Sequence, residues 1–148
     1  MAPATSNSTH PGLRARSPFN RLPLVSDFDA SVALLVNRDP RYPREAYLFL
    51  RAALDHTQGL YSRTGHVSVP ELLEGIRQFT LKEYGPMAVL ILDEWGIRSC
   101  ADFGELVFNL IEQGELRKTD QDRREDFAAG YDFHEAFRRP YLPAAARS

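Results

Sequence analysis

Helix breakers recur along this chain at close intervals: Asp39-Pro40-Arg41-Tyr42-Pro43, Gly85-Pro86, Gly96 and Gly114. Two prolines within four residues remove two amide donors and push the residue before each out of the helical region, so Asp39 to Pro43 is an extended corner. Gly85, Gly96 and Gly114 suit the left-handed residue that closes a helix, and Pro86 suits a first turn. A chain punctuated in this way folds by packing short helices, and their apolar stripes must cover one another.

The stripes follow the punctuation. A helix is predicted from Phe28 to about Asn37, capped by Asp27, with Phe28, Val32, Leu35 and Val36 on one face. The second runs from Pro43 to about Thr57 and turns Ala46, Tyr47, Leu50, Ala53 and Leu54 inward, which leaves Phe49 off the stripe. A loop from Gln58 to Gly65 leads into His66-Val67, read as a very short strand. Ser68-Val69-Pro70-Glu71 is a capping box: the serine caps an amide three residues on, and the glutamate reaches back. The helix it starts carries Leu72, Leu73, Ile76, Phe79 and Thr80 and stops at Gly85.

From Pro86 to Trp95 the apolar residues are nearly contiguous, and periodicity alone does not separate helix from strand. Pro86 and Gly96 favour helix. Being apolar on most sides, this segment is predicted to be the central buried element. Ser99 and Asp102 repeat the capping pattern before a helix from Cys100 to Gln113 with Phe103, Leu106, Val107, Leu110 and Ile111 inward. Leu116 to Thr119 and Glu125 to Ala128 are read as the strands of a short hairpin around Asp120 to Arg124. Phe127, Tyr131, Phe133, Phe137 and Tyr141 are spaced to lie back across the body.

Composition bounds the rest. The 148 residues suffice for one domain with a real core, and no apolar run reaches the ~18 residues of a membrane span. Residues 1–22 hold Arg14, Arg16 and Arg21 and no acid, and read as a disordered basic tail. Residues 23–143 form a single helical domain, and 144–148 a disordered end. With Cys100 the sole cysteine, neither a disulfide framework nor a multi-thiolate zinc site is available. The net charge of −2, from 20 acidic and 18 basic residues, divides unevenly. Residues 23–116 carry 8 basic against 14 acidic side chains, a net −6. A cytoplasmic protein without membrane contact is expected.

The order of three helices and a charged-tip hairpin is that of a winged helix. Leu106 to Arg124, reading LVFNLIEQGELRKTDQDRR, resembles the recognition helix and wing of MarR-type regulators, a local likeness within residues 86–127. On that reading Arg117, Lys118, Arg123 and Arg124 would contact nucleic acid. Asp102, Glu105 and Glu112 on the outer side of the recognition helix carry the wrong sign for phosphate, and they disfavour it. Asp120, Asp122 and Asp126 invite a calcium loop, but Arg124 stands where an oxygen ligand is needed. Asp93, Glu94 and Cys100 are the residues a small enzyme would use if they shared one cleft. The histidines lack metal spacing, and neither a cofactor nor a metal is expected. The off-stripe Phe49 and Phe108, with Arg41 and Tyr42 at the proline corner, are candidates for a partner surface, set against packing within the chain.

Several segments together, RDPRYP at 38–43, HVS at 66–68, YGPMA at 84–88, EWGI at 94–97, DFGELVFNL at 102–110 and GYDF at 130–133, resemble a family of small bacterial proteins found mainly in planctomycetes and verrucomicrobia. The likeness spans about residues 27 to 142. It implies a bacterial cytoplasmic protein, assigns no activity and transfers no site residue. The expectation is therefore a mainly α, compact helical domain with a winged-helix-like tri-helical core and a short β-hairpin. Its expected role is that of a non-catalytic protein-interaction or regulatory module whose partner is another protein. The alternatives are a winged-helix nucleic-acid binder and a small carboxylate or cysteine enzyme.

Overall fold

A computed structural model describes residues 1–3, 27–62 and 65–143. Among them six helices form a mainly α fold: α1 (Asp27–Arg38), α2 (Arg44–Leu60), α3 (Val69–Tyr84), α4 (Ala88–Glu94), α5 (Cys100–Glu112) and α6 (Arg124–Ala128). A 3-10 turn (Gly85–Met87) joins α3 to α4, and a π-helical turn (His134–Arg138) followed by a 3-10 turn (Arg139–Tyr141) closes the described chain.

The capping signals act as their chemistry requires. The Glu71 amide donates to Ser68 Oγ at 3.2 Å and the Ser68 amide to Glu71 Oε1 at 2.9 Å, so α3 starts on a reciprocal cap. Asp102 Oδ2 accepts from the Arg98 and Ser99 amides ahead of α5, at 2.8 and 3.2 Å. Beyond α4, Gly96 takes φ +77° and the Ile97 amide returns to the Leu92 carbonyl at 2.9 Å, the six-to-one closure that a left-handed glycine permits.

The core lies between α2 and α3, with α5 packed on α2, α1 beside α2 and α5, and α6 against α3 and α5. Gly75 lets α2 and α3 approach: a methyl there would fall 1.8 Å from Thr57 Oγ1. Thr57 and Thr80 are buried in this seam, and each hydroxyl donates to the carbonyl four residues back, at 2.7 and 2.6 Å. The C-terminal aromatics return across the body as their spacing predicts. Phe127, Phe133 and Phe137 are buried, and the Tyr131 hydroxyl donates to the Leu73 carbonyl at 2.9 Å.

Three expectations are corrected. The hairpin does not form. Arg124–Ala128 is a helix anchored by the buried Phe127, while β2 (Leu116–Arg117) pairs antiparallel with β1 (Ala2–Pro3), Ala2 opposite Arg117. Met1 to Pro3, assigned by composition to the tail, lie against the body. The Met1 amine donates to the Val67 carbonyl, sits 3.8 Å from the buried Asp122 carboxylate and is lowered by burial to about 6. The Val67 amide in turn donates to the Met1 carbonyl at 2.8 Å, so His66-Val67 pairs with the terminus without forming a strand of its own. The remainder of the tail, residues 4–22, and the end, 144–148, lie outside the described residues.

The third correction concerns the segment after Pro86. It is helical, but it is not the central buried element: only Ala88 and Leu92 are buried, whereas Met87 is 51% and Leu90 56% exposed. A seven-residue helix packs on one side, and an apolar run that circles it turns part of itself to the surface whatever its hydropathy. Among the described residues no helix is long and apolar enough to cross a membrane.

Candidate functional site

The proline corner is fastened to the outer face of α5. Asp39 Oδ1 accepts Arg41 Nε at 2.8 Å, and Asp39 Oδ2 accepts Arg41 Nη2 at 2.7 Å and Asn109 Nδ2 at 3.0 Å. Asn109 also reaches the Tyr47 hydroxyl at 3.0 Å, and Arg41 Nη2 reaches Glu105 Oε1 at 3.2 Å. The Tyr42 hydroxyl donates to Asp102 Oδ1 at 2.5 Å. Arg124 takes the other Glu105 oxygen at 3.1 Å and lies over the Phe108 ring, and Arg38 pairs with Glu112 at 3.3 Å. Arg41 and Arg124 thus pair with Glu105 and Arg38 with Glu112 along this face, while Asp102 is held by the Tyr42 hydroxyl.

The Arg41 guanidinium beside Asp39 holds its carboxyl well below the usual carboxylate range, helped by Asn109. Folding favours the ionised form, so the contribution is complete above about pH 5 and is lost as the pH falls from there. At pH 7, Asp39→Asn is expected to cost about 1–3 kcal/mol, the usual worth of hydrogen bonds to a charged group. Urea unfolding at pH 7 and at pH 3 checks this: the gap between wild type and variant narrows in acid, whereas an unchanged gap would exclude a proton-linked role for Asp39.

These contacts reassign the sequence candidates. Tyr42 is fully buried and Phe49 is 4% exposed, so neither lies on a partner surface. Phe49 is the hub of an aromatic cluster, with ring centroids 5.7 Å from Phe79, 6.2 Å from Tyr84, 5.5 Å from Trp95 and 6.3 Å from Phe103. Phe108 packs edge-on to Phe127 and under Arg124. Arg41 is exposed but engaged with Asp39 and Glu105. Of the nucleic-acid candidates, Arg117, Lys118 and Arg123 are exposed, and Arg124 is committed to α5. Asp122 points inward, where its carboxylate accepts the Thr119 amide at 2.8 Å and faces Met1 and His66, so the three aspartates do not converge.

Cys100, Asp93 and Glu94 do not share a cleft. Cys100 is buried with its thiol donating to the Tyr131 carbonyl at 3.3 Å, and burial pushes it up to about 11. Asp93 is paired with Arg98 at 2.8 Å on the surface. At pH 8 a thiol titrating near 11 is about a hundredfold poorer in thiolate than one titrating near 9. Alkylation of the folded protein by iodoacetamide is therefore expected to be at least about a hundredfold slower than in urea; comparable rates would contradict the burial.

Sequence reasoning missed one grouping. Tyr84 and Trp95, which flank the Gly85–Glu94 segment, meet edge to face at 5.9 Å and 79° above Phe49. They form the floor of an open depression of about 570 Å³ that Pro43, Glu45, Ile91 and Glu94 complete. The available signal was the pair of aromatics set beside the two helix-closing glycines, Gly85 and Gly96. Comparison with family models, curated proteins and solved structures returns no match.

Proposed function

We propose that this chain is a non-catalytic protein-interaction module, bacterial and cytoplasmic as the family resemblance implies, whose contact face is the outward side of the segment from Gly85 to Trp95. The observation that carries this reading is the exposure of Met87, at the end of the 3-10 turn, and Leu90, on the short helix that follows it, each more than half open to solvent. Pro86 and the half-buried Ile91 extend the same apolar strip. Single exposed apolar residues are ordinary, but a contiguous strip beside aromatic rings is the composition of an interface core. Covering it yields about 25 cal/mol for each Å² of apolar surface removed from water.

The test is a photo-cross-linking residue placed at Leu90 in the native cells, with a second placed at Leu34, which is equally exposed on α1. The module reading predicts a discrete protein adduct at Leu90, lost with Met87→Asp and absent at Leu34. Equal labelling at both sites, or none at Leu90, would contradict it.

A second reading, a winged-helix nucleic-acid binder, draws on the exposed Arg117, Lys118 and Arg123 that follow α5. It predicts retention on duplex DNA that falls steeply with salt and is lost when the three are replaced by alanine.

A further inference from the structure

The depression beside the apolar strip has a chemistry of its own. Its floor is two aromatic rings set nearly perpendicular, and both rest on Phe49, which is itself locked against Phe79 and Phe103. The rings are therefore placed before any ligand arrives, so binding spends little on ordering them. Aromatic faces carry negative potential and attract cations, worth about 0.5–1 kcal/mol at exposed sites and more once water is excluded. The rim adds to this sign. Glu45 comes from the first turn of α2 and Glu94 from the end of α4, both exposed, and none of the lining residues is cationic.

We propose that this depression receives the cationic side chain, lysine or arginine, of a basic amphipathic segment of a protein partner. The inference rests on the interaction-module reading and names the partner's chemistry. Ile91 and Glu94 stand at i and i+3 on α4 and both line the depression, and Leu90 stands at i to Glu94 at i+4, so the apolar strip leads along α4 into the depression. A partner helix that sets an apolar residue on Met87 and Leu90 would carry its next cation toward Tyr84 and Trp95, between the two glutamates. Pro43 and Ile91 supply apolar walls for the methylene stem of that side chain. An acidic segment would meet Glu45 and Glu94 and be repelled. The body outside the tail and the C-terminal segment carries 8 basic against 14 acidic residues, which favours encounter with a basic partner.

Trp95 is the only tryptophan of the chain, so its emission reports on this depression without interference. The probe is an amidated helical peptide of leucine and lysine, about five turns long, with a control in which glutamate replaces lysine. The expected result is a saturable change in Trp95 emission with the lysine peptide alone, weakened by added salt. Glu45→Gln and Glu94→Gln, both at exposed positions, are each expected to weaken binding about two- to fivefold, the usual worth of an exposed charge pair. No saturable change, or binding that the Glu45→Gln/Glu94→Gln double variant leaves unaltered, would overturn the proposal. If the peptide fails while the Leu90 adduct forms, the basic-partner inference falls and the module reading stands. If the peptide binds and no Leu90 adduct forms, the depression takes a cation and the module reading falls.

Discussion

Phe49→Ala is expected to lower the unfolding free energy by about 3–5 kcal/mol, the usual cost of deleting a buried phenylalanine ring. Phe49 is 4% exposed and its ring meets four other aromatics from α3, α5 and the turn after α4. Alanine leaves a void lined by rigid rings, which collapse poorly, so the cost should fall in the upper part of that range. A domain of this size has only about 5–15 kcal/mol in hand. With a urea slope of about 1–3 kcal/mol per M, the midpoint moves down by roughly 2 M. Phe49→Leu, which fills most of the volume, is expected to cost about 1–1.5 kcal/mol and keeps the test readable if the alanine variant does not fold. A midpoint shift for Phe49→Ala no larger than that for Phe49→Leu would mean that the aromatic cluster is not the centre of the core.

Gly96→Ala is expected to cost about 2–4 kcal/mol, and for two separable reasons. The residue sits at φ +77°, where a side chain costs about 1 kcal/mol or more. A methyl there would also lie 2.4 Å from the Arg41 carbonyl oxygen, and that atom belongs to backbone, which cannot rotate away. The proline corner would have to lift from the turn after α4, which would loosen the Asp39, Arg41 and Tyr42 contacts to α5 and shift Trp95 beside it. Circular dichroism in the aromatic region should therefore change along with the urea midpoint. A variant with wild-type stability and an unchanged Trp95 signal would show that the corner and the turn are not in contact.

Much of the helix layout was legible because its signals are local. Ser68 with Glu71, Ser99 with Asp102, and glycine at 85, 96 and 114 mark helix ends through contacts within a few residues, and the structure places boundaries close to them. Features that depend on distant partners were not legible. Phe49 fell outside the stripe drawn for its helix because α2 is covered on two sides, by α3 and by α5, so its buried arc is wider than one stripe. The helix Arg124–Ala128 is five residues long and held by one inward ring, too short to show a period, and alternating burial in a polar loop looks the same as a strand. The apolar run after Pro86 announced hydrophobicity without saying which side lacks a neighbour. The meeting of Tyr84 and Trp95 likewise arises from tertiary packing on Phe49, and neither residue signals it alone. The acids on α5 were visible as charge; that Arg41 and Arg124 pair with Glu105 and Arg38 with Glu112 was not.

The most direct test of the account is an amide correlation spectrum of the labelled protein titrated with the leucine–lysine peptide. One tryptophan gives one indole N–H resonance. This resonance and the backbone amides of the non-proline residues from Tyr84 to Trp95 are expected to move together and saturate, while those from Leu116 to Arg124 stay in place. Shifts centred on Leu116 to Arg124, with the Trp95 indole unmoved, would contradict it.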